Sequence, residues 1–250
     1  MNPTSKTIKD IRALHEQKGR KSAGLFIAEG TRTVSTFIKA GWHPVHLFAS
    51  AGHEEFVLGL DQSIPSTLVS EITMTRMSTS STPSGVLAIF NIPANPPAKN
   101  LSSGIVLAGI ADPGNMGTLI RSCAAFGYSS VVTIESCDPF SPKVIQSTTG
   151  ALTQVNLFRW NWQTLIEQKK DISLCALVQQ GGVSPDQLSR KKPTLFVIGN
   201  EAHGIKQSWL NDCTTTATLT MQEQVESLNA AVAGSIALYL YSMQITTNYK

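Results

Sequence analysis

The chain is short of charge. Only 15% of its 250 residues are Asp, Glu, Lys or Arg, against about a quarter in ordinary globular domains. A net charge of +3 excludes a histone-like or polybasic protein. None of the four cysteines, Cys123, Cys137, Cys175 and Cys213, sits in a CxxC pair, so neither a zinc site nor a redox motif is indicated. Cys123 and Cys175 lie in apolar stretches and read as core residues. The N-terminal MNPTSKTIKDIRALHEQ has no apolar h-region and is not Arg-rich, which argues against a signal or transit peptide. The longest apolar run, Ala230 to Leu240, contains Gly and Ser and is too short for a membrane span. A soluble, cytoplasmic setting is expected. GxGxxG and GxxxxGK[ST] are both absent, which excludes the common nucleotide fingerprints. No residues have metal-ligand spacing, and His43 and His46 read as surface or structural.

What charge there is lies unevenly. Residues 1–39 hold eight basic and three acidic side chains, a net +5, so the remainder of the chain sums to −2. A basic patch fits a polyanion partner, though charge alone favours a solvated helix face, since such runs are usually surface. With 42% hydrophobic residues the chain can bury a core, and its length fits one large or two small domains. Ser78 to Pro83 reads as a loop. Pro93, Pro96 and Pro97 then stop helix and strand alike, which places a domain boundary near residues 91–100.

Beyond that boundary, apolar strand candidates recur at Ile105–Ile110, Ser130–Ile134, Leu174–Val178, Leu195–Ile198 and Ala217–Met221, several of them separated by helical segments. This pattern predicts an α/β domain with a mostly parallel sheet. Ahead of it, helices over about 5–18 and 31–40 and strands at Leu25–Ala28, Val45–Ala49 and Val86–Phe90 predict a small α/β sandwich.

Three segments carry chemistry. In the first, Asp112-Pro113-Gly114-Asn115-Met116-Gly117 turns from a buried strand into a helix, with Asn115 as N-cap candidate. Any βα unit needs such a turn. An arginine in the second helical turn, Arg121, is opposed by the helix dipole and points to an anionic partner. In the second segment, the buried strand Leu195–Ile198 runs into Gly199-Asn200-Glu201-Ala202-His203-Gly204. That places a carboxylate at a strand's C-terminal end, where open α/β sheets bind ligands. In the third, Leu219 to Asn229 leads into an apolar helix that Ser227 or Asn229 could cap.

These segments resemble the three motifs of the SpoU/TrmH family of RNA 2′-O-ribose methyltransferases, in the SPOUT superfamily. Asp112, Pro113, Asn115, Gly117, Arg121 and Ala125-Phe126-Gly127 match the first. Gly199, Asn200, Glu201 and Gly204 match the second, and Val225-Glu226-Ser227-Leu228-Asn229 the third. Thr220 and Glu223 depart from the family's usual Pro and Gly. Pro142 to Leu152 resembles a fourth stretch, with Gln146 in place of Arg and Thr148 in place of Ser. The part around Lys18-Gly19-Arg20-Lys21 and Phe26 to Gly30 is similar to an L30e-like substrate-binding domain.

The resemblance implies an RNA-binding domain at 1–95 and a knotted methyltransferase domain at 100–250, acting as a homodimer. It implies methyl transfer from S-adenosylmethionine to a ribose 2′-OH, with Arg121, Asn115, Glu201, Ser227 and Asn229 in the catalytic set. Asn115 would orient Arg121 or the ribose, and Glu201 would hold that constellation and neutralise Arg121 before RNA binds. Ile198, Gly199, Asn200, Leu219, Met221, Ser227 and Leu228 would hold the cofactor. Lys18, Arg20, Lys21, Arg32 and Arg121 would contact RNA. An arginine is always protonated, so Arg121 is expected to grip a phosphate and stabilise the developing alkoxide rather than act as a free base. The N-terminal domain favours ribosomal over transfer RNA as substrate. A non-catalytic ribosome-assembly factor or a base-directed enzyme of the same fold are the rival readings.

Overall fold

The structure is a computed structural model and describes residues 3–222, 224 and 227–246, without the side chains of 244–246. Along the chain run α1 (Ser5–Ala13), α2 (Gln17–Ala23), β1 (Leu25–Glu29), α3 (Thr31–Lys39), β2 (Pro44–Ser50), α4 (Glu54–Leu58), β3 (Ser66–Val69), α5 (Glu71–Met77) and β4 (Val86–Asn91). After the proline-rich stretch come β5 (Gly104–Ala108), α6 (Pro113–Ala125), β6 (Ser130–Ile134), α7 (Pro142–Thr148), β7 (Asn156–Arg159), α8 (Trp162–Gln168), β8 (Ser173–Leu177), β9 (Thr194–Gly199), α9 (Gln207–Asn211), β10 (Thr215–Ala217) and α10 (Ala230–Thr246).

The compact units are not two consecutive stretches. The first combines Met1–Ala94 with Asp138–Thr153, and the second combines Asn95–Cys137 with Gln154–Lys250. The first unit has a four-stranded sheet in the order β1-β4-β2-β3, antiparallel except between β2 and β3. An aromatic cluster explains why the 138–153 segment belongs here. Phe140 is buried, with its ring centroid 5.1 Å from that of Phe26, which also contacts Phe37 and Phe90.

The helix expected over 5–18 is two helices. The break follows from Arg20. Its Nη1 donates to the carbonyls of Leu14 and His15 at 2.8 and 2.7 Å, satisfying groups that end α1. Its Nε and Nη2 grip Asp138 at 2.8 and 2.7 Å. Arg20 is 3% exposed. The expectation that it contacts RNA is therefore corrected: its donors are spent inside the unit. Lys18, Lys21 and Arg32 are exposed.

The second unit has a six-stranded sheet, β10-β8-β9-β5-β6-β7, with every pairing parallel. Its strands are apolar nearly throughout, as burial on both faces requires. The strand expected at Ala217–Met221 is instead Thr215–Ala217. It pairs with β8 only as far as Leu177, where β8 ends, so residues 218–222 have no ladder to join. α10 lies against α6 through small residues. Ser122 Oγ meets Ser235 Oγ at 2.7 Å, and a Cβ on Gly234 would come within 2.4 Å of Leu119 Cδ2. Glu223, Val225 and Glu226 lie outside the described residues, so the Glu223 departure has no structural account here.

Candidate active site

The chain reverses direction across the six-stranded sheet at β5. From β5 it moves outward to β6 and β7, and later returns to place β9 on β5's other side. The loops leaving β5 and β9 therefore meet at a switch point, the usual ligand position in open α/β sheets. The first motif follows β5, and the second follows β9.

Asp112, not Asn115, caps α6. Its Oδ1 accepts from Asn115 N at 2.8 Å, and Pro113 occupies the first turn. Asp-Pro is a strong helix start because the carboxylate takes an orphan N–H and proline has none to lose. The Asn115 side chain is thereby released, and it links two other loops. Its Nδ2 donates to Glu201 Oε1 at 2.9 Å, and its Oδ1 accepts from Asn229 Nδ2 at 3.0 Å. Asn229 in turn caps α10, its Oδ1 accepting from Ala231 N and Val232 N at 2.9 and 3.2 Å. One residue from each motif thus joins a single hydrogen-bonded row.

Glu201 anchors the row. Its carboxylate also accepts from Ala111 N at 3.2 Å and Asp112 N at 3.3 Å. Burial pushes its pKa up. The bonds from Asn115 and from the backbone of Glu201 itself, Ala111 and Asp112 outweigh that and leave it below the usual glutamate value.

Arg121 stands apart. Starting the helix at Pro113 makes it the ninth helical residue, in the third turn, so the dipole argument for an anionic partner falls. The Arg121 side chain is exposed and makes no hydrogen bond or ion pair with a described residue. Among the described residues neither Asn115 nor Glu201 holds it, so of the expected roles Asn115 keeps only the one toward the ribose, and Glu201 holds Asn115 rather than neutralising Arg121.

Beside the row lies a cavity of about 420 Å³, into which Ile198, Gly199, Asn200, Leu219, Met221, Ser227 and Leu228 all open. That volume lies within the range of small-molecule sites. Leu219, Met221, Leu228 and Ile198 supply apolar walls suited to a nucleoside, and the coil at 218–222 supplies backbone groups. Gly199 is required by a close approach: a Cβ there would sit 2.4 Å from Gly204 C. Asn200 shapes the turn with its side chain. Its Nδ2 donates to Gly109 O at 2.8 Å, and its Oδ1 accepts from Ala202 N and His203 N. These residues fit S-adenosylmethionine: the apolar walls would take its adenosine and the Ser227 hydroxyl its amino-acid end.

Residues that the sequence reading did not single out also line the cavity: Val178 and Gln179 beyond β8, and His203 within the second motif. The available signal was position, since all three follow buried strands at their C-terminal ends. Gln146 is exposed on α7, and Thr148 is buried with its hydroxyl on Ile145 O at 2.8 Å. Among the described residues no group of three His, Cys, Asp or Glu could hold a metal.

Comparison with known proteins matches this arrangement. Residues 5–88 match an MRM3-like substrate binding domain. An uncharacterized tRNA/rRNA methyltransferase of Synechocystis is 31% identical over 245 residues, covering 93% of this chain and 89% of that protein. A 23S rRNA (uridine(2479)-2′-O)-methyltransferase of Streptomyces viridochromogenes is 27% identical over 248 residues, covering 90% and 85%. The crystal structure of an AdoMet-bound rRNA methyltransferase from Sinorhizobium meliloti superposes with a TM-score of 0.87 at 26% identity, covering 98% of each chain. Residues 102–239, which contain the hydrogen-bonded row and all of the cavity lining, match the SpoU rRNA Methylase family, and the chain belongs to that family.

Proposed function

We propose that the protein methylates a ribose 2′-hydroxyl of large-subunit ribosomal RNA. The observation that carries this reading is the row Glu201–Asn115–Asn229 beside a nucleoside-sized cavity. The names of relatives that act on 23S ribosomal RNA support the substrate.

S-adenosylmethionine bound in the cavity would supply an electrophilic methyl on a sulfonium, whose departure leaves a neutral thioether. The protein must then hold the ribose oxygen in line and ease the loss of its proton. Asn115, its amide fixed between Glu201 and Asn229, presents a rigid polar edge. Ser227 holds the methionine end, and the backbone at 218–222 holds the adenosine. Arg121 grips the phosphate next to the target ribose and stabilises the alkoxide as it forms. Its lack of partners among the described residues keeps the guanidinium available.

The first unit finds the RNA through Lys18, Lys21 and Arg32, and the second carries out the transfer, in a cytoplasmic homodimer with a knotted C-terminal segment. An apolar stripe on α10 supports the dimer: Val232, Ile236, Tyr239 and Met243 are 46%, 38%, 47% and 47% exposed. Their four-three-four spacing puts them on one helix face, a surface for a second copy.

The test maps 2′-O-methylation in RNA from cells with and without the gene. Loss at one ribose of large-subunit ribosomal RNA is expected. A change confined to transfer RNA overturns the substrate. An unchanged map, together with no S-adenosylmethionine binding by calorimetry, overturns the activity.

A further inference from the structure

Two loops at the N-terminal ends of β8 and β9 collect five of the twelve basic residues found between residues 40 and 250: Lys169, Lys170, Arg190, Lys191 and Lys192. The other seven share that stretch with fourteen acids. The two loops touch, with Ser173 N donating to Pro193 O at 2.9 Å. Such a concentration on an otherwise acidic background is not an evenly solvated surface.

The five side chains divide by use. Arg190 turns inward, its guanidinium 4.3 Å from the centre of the Tyr241 ring and donating to the Tyr128 hydroxyl at 3.2 Å. Lys169 donates to Ile172 O at 3.3 Å. Lys170 and Lys191 are exposed, and neither ammonium has a hydrogen bond or ion pair to a described residue. Lys192 faces Asp171 at 3.8 Å, with both side chains open to water, so their attraction is weak. The nearby Glu167 is engaged by Gln163. Three lysine charges are therefore left for a partner.

β8 and β9 open into the cavity at their other ends, through Leu177, Ile198 and Gly199. At about 3.3 Å per residue these strands set the lysines about 17–20 Å from the cavity. We infer that Lys170, Lys191 and Lys192 form a phosphate-contacting surface for the same RNA whose ribose is methylated, supplied by the catalytic unit itself. This rests on the RNA methyltransferase reading above. At a helical rise of about 3.4 Å per phosphate on one strand, the separation corresponds to about five or six phosphates, so the substrate engaged is a folded RNA with helical structure rather than a di- or trinucleotide. Lysines act here as point charges that position the RNA without reading its sequence.

The test compares the full-length protein with K170E/K191E/K192E and with K170Q/K191Q/K192Q. Binding to a large-subunit ribosomal RNA transcript is measured across a salt series, with S-adenosylmethionine affinity measured by calorimetry. The Glu variant should bind RNA about ten-fold more weakly or worse, and its salt slope should fall by about 2 to 3. The Gln variant should fall part of the way, and cofactor affinity should hold in both. If the Glu variant also loses cofactor binding, the Gln variant decides. An unchanged slope and affinity against a wild type that binds overturns the surface. A wild type that shows no salt-dependent RNA binding overturns the RNA reading as a whole.

Discussion

Asn229 donates to Asn115 Oδ1 at 3.0 Å while its own Oδ1 caps α10. One amide thus holds a helix start and a neighbouring polar side chain, and substitutions can separate the two tasks. Asn229→Asp keeps the capping oxygen, which serves as well as Asn, and removes the donor to Asn115. Its melting temperature should stay near wild type while methyl transfer falls at least about ten-fold. Asn229→Ala should lose activity and also about 1 kcal/mol of stability. Full activity in Asn229→Asp would reduce this residue to a cap.

Arg121 meets none of the row's side chains, so its role shows in the reaction and not in the fold. Arg121→Ala should lower the methyl-transfer rate by about 10²–10³ and leave S-adenosylmethionine affinity, read by calorimetry, near normal. Arg121→Lys should recover little, because an ammonium cannot hold a phosphate through two parallel bonds. Undiminished turnover in Arg121→Ala would remove it from the mechanism.

Arg20 and Asp138 form a buried pair 118 positions apart in sequence. Arg20→Ala leaves a carboxylate without its cation and should cost about 3–5 kcal/mol in chemical denaturation. Reversing the exposed Lys18, Lys21 and Arg32 should instead spare stability and weaken RNA binding and its salt slope. Weakened RNA binding by a stably folded Arg20 variant would contradict this division.

Glu201 sets an acid limit. Its folded pKa lies below the ordinary value of 4.5, so its contribution is complete above that value and disappears as pH falls through the lower folded one. The melting-temperature gap between wild type and Glu201→Gln should therefore be full near neutral pH and close under acid conditions. A gap that persists there would mean the carboxylate charge plays no part in joining the loops.

The stripe on α10 predicts the oligomeric state. Val232→Glu with Ile236→Glu should yield a monomer in sedimentation, because a charge buried without a partner opposes association. A dimer unchanged by both substitutions would move the interface elsewhere.

Local patterns told most of the secondary structure. The run Ser130–Ile134 is β6 residue for residue, and the parallel sheet follows from strands without polar alternation. The motif residues of both βα loops and of the α10 start stood out through their resemblance to family motifs, which are runs of neighbouring residues. What the sequence could not show was which distant group each polar side chain meets. Asn115 reads as a cap until Asp112 is seen to take that place and β9's loop arrives with Glu201. Arg20 and Lys21 look alike on paper, yet one is buried against Asp138 and the other is exposed. The same contrast separates Arg190 from Lys191. The 138–153 segment joins the first unit through Phe140 and Asp138, contacts that no window of sequence contains. Periodicity and capping act over a few residues and so belong to the sequence. Which donor meets which acceptor depends on groups brought together only when the chain folds, and that the tertiary structure decided.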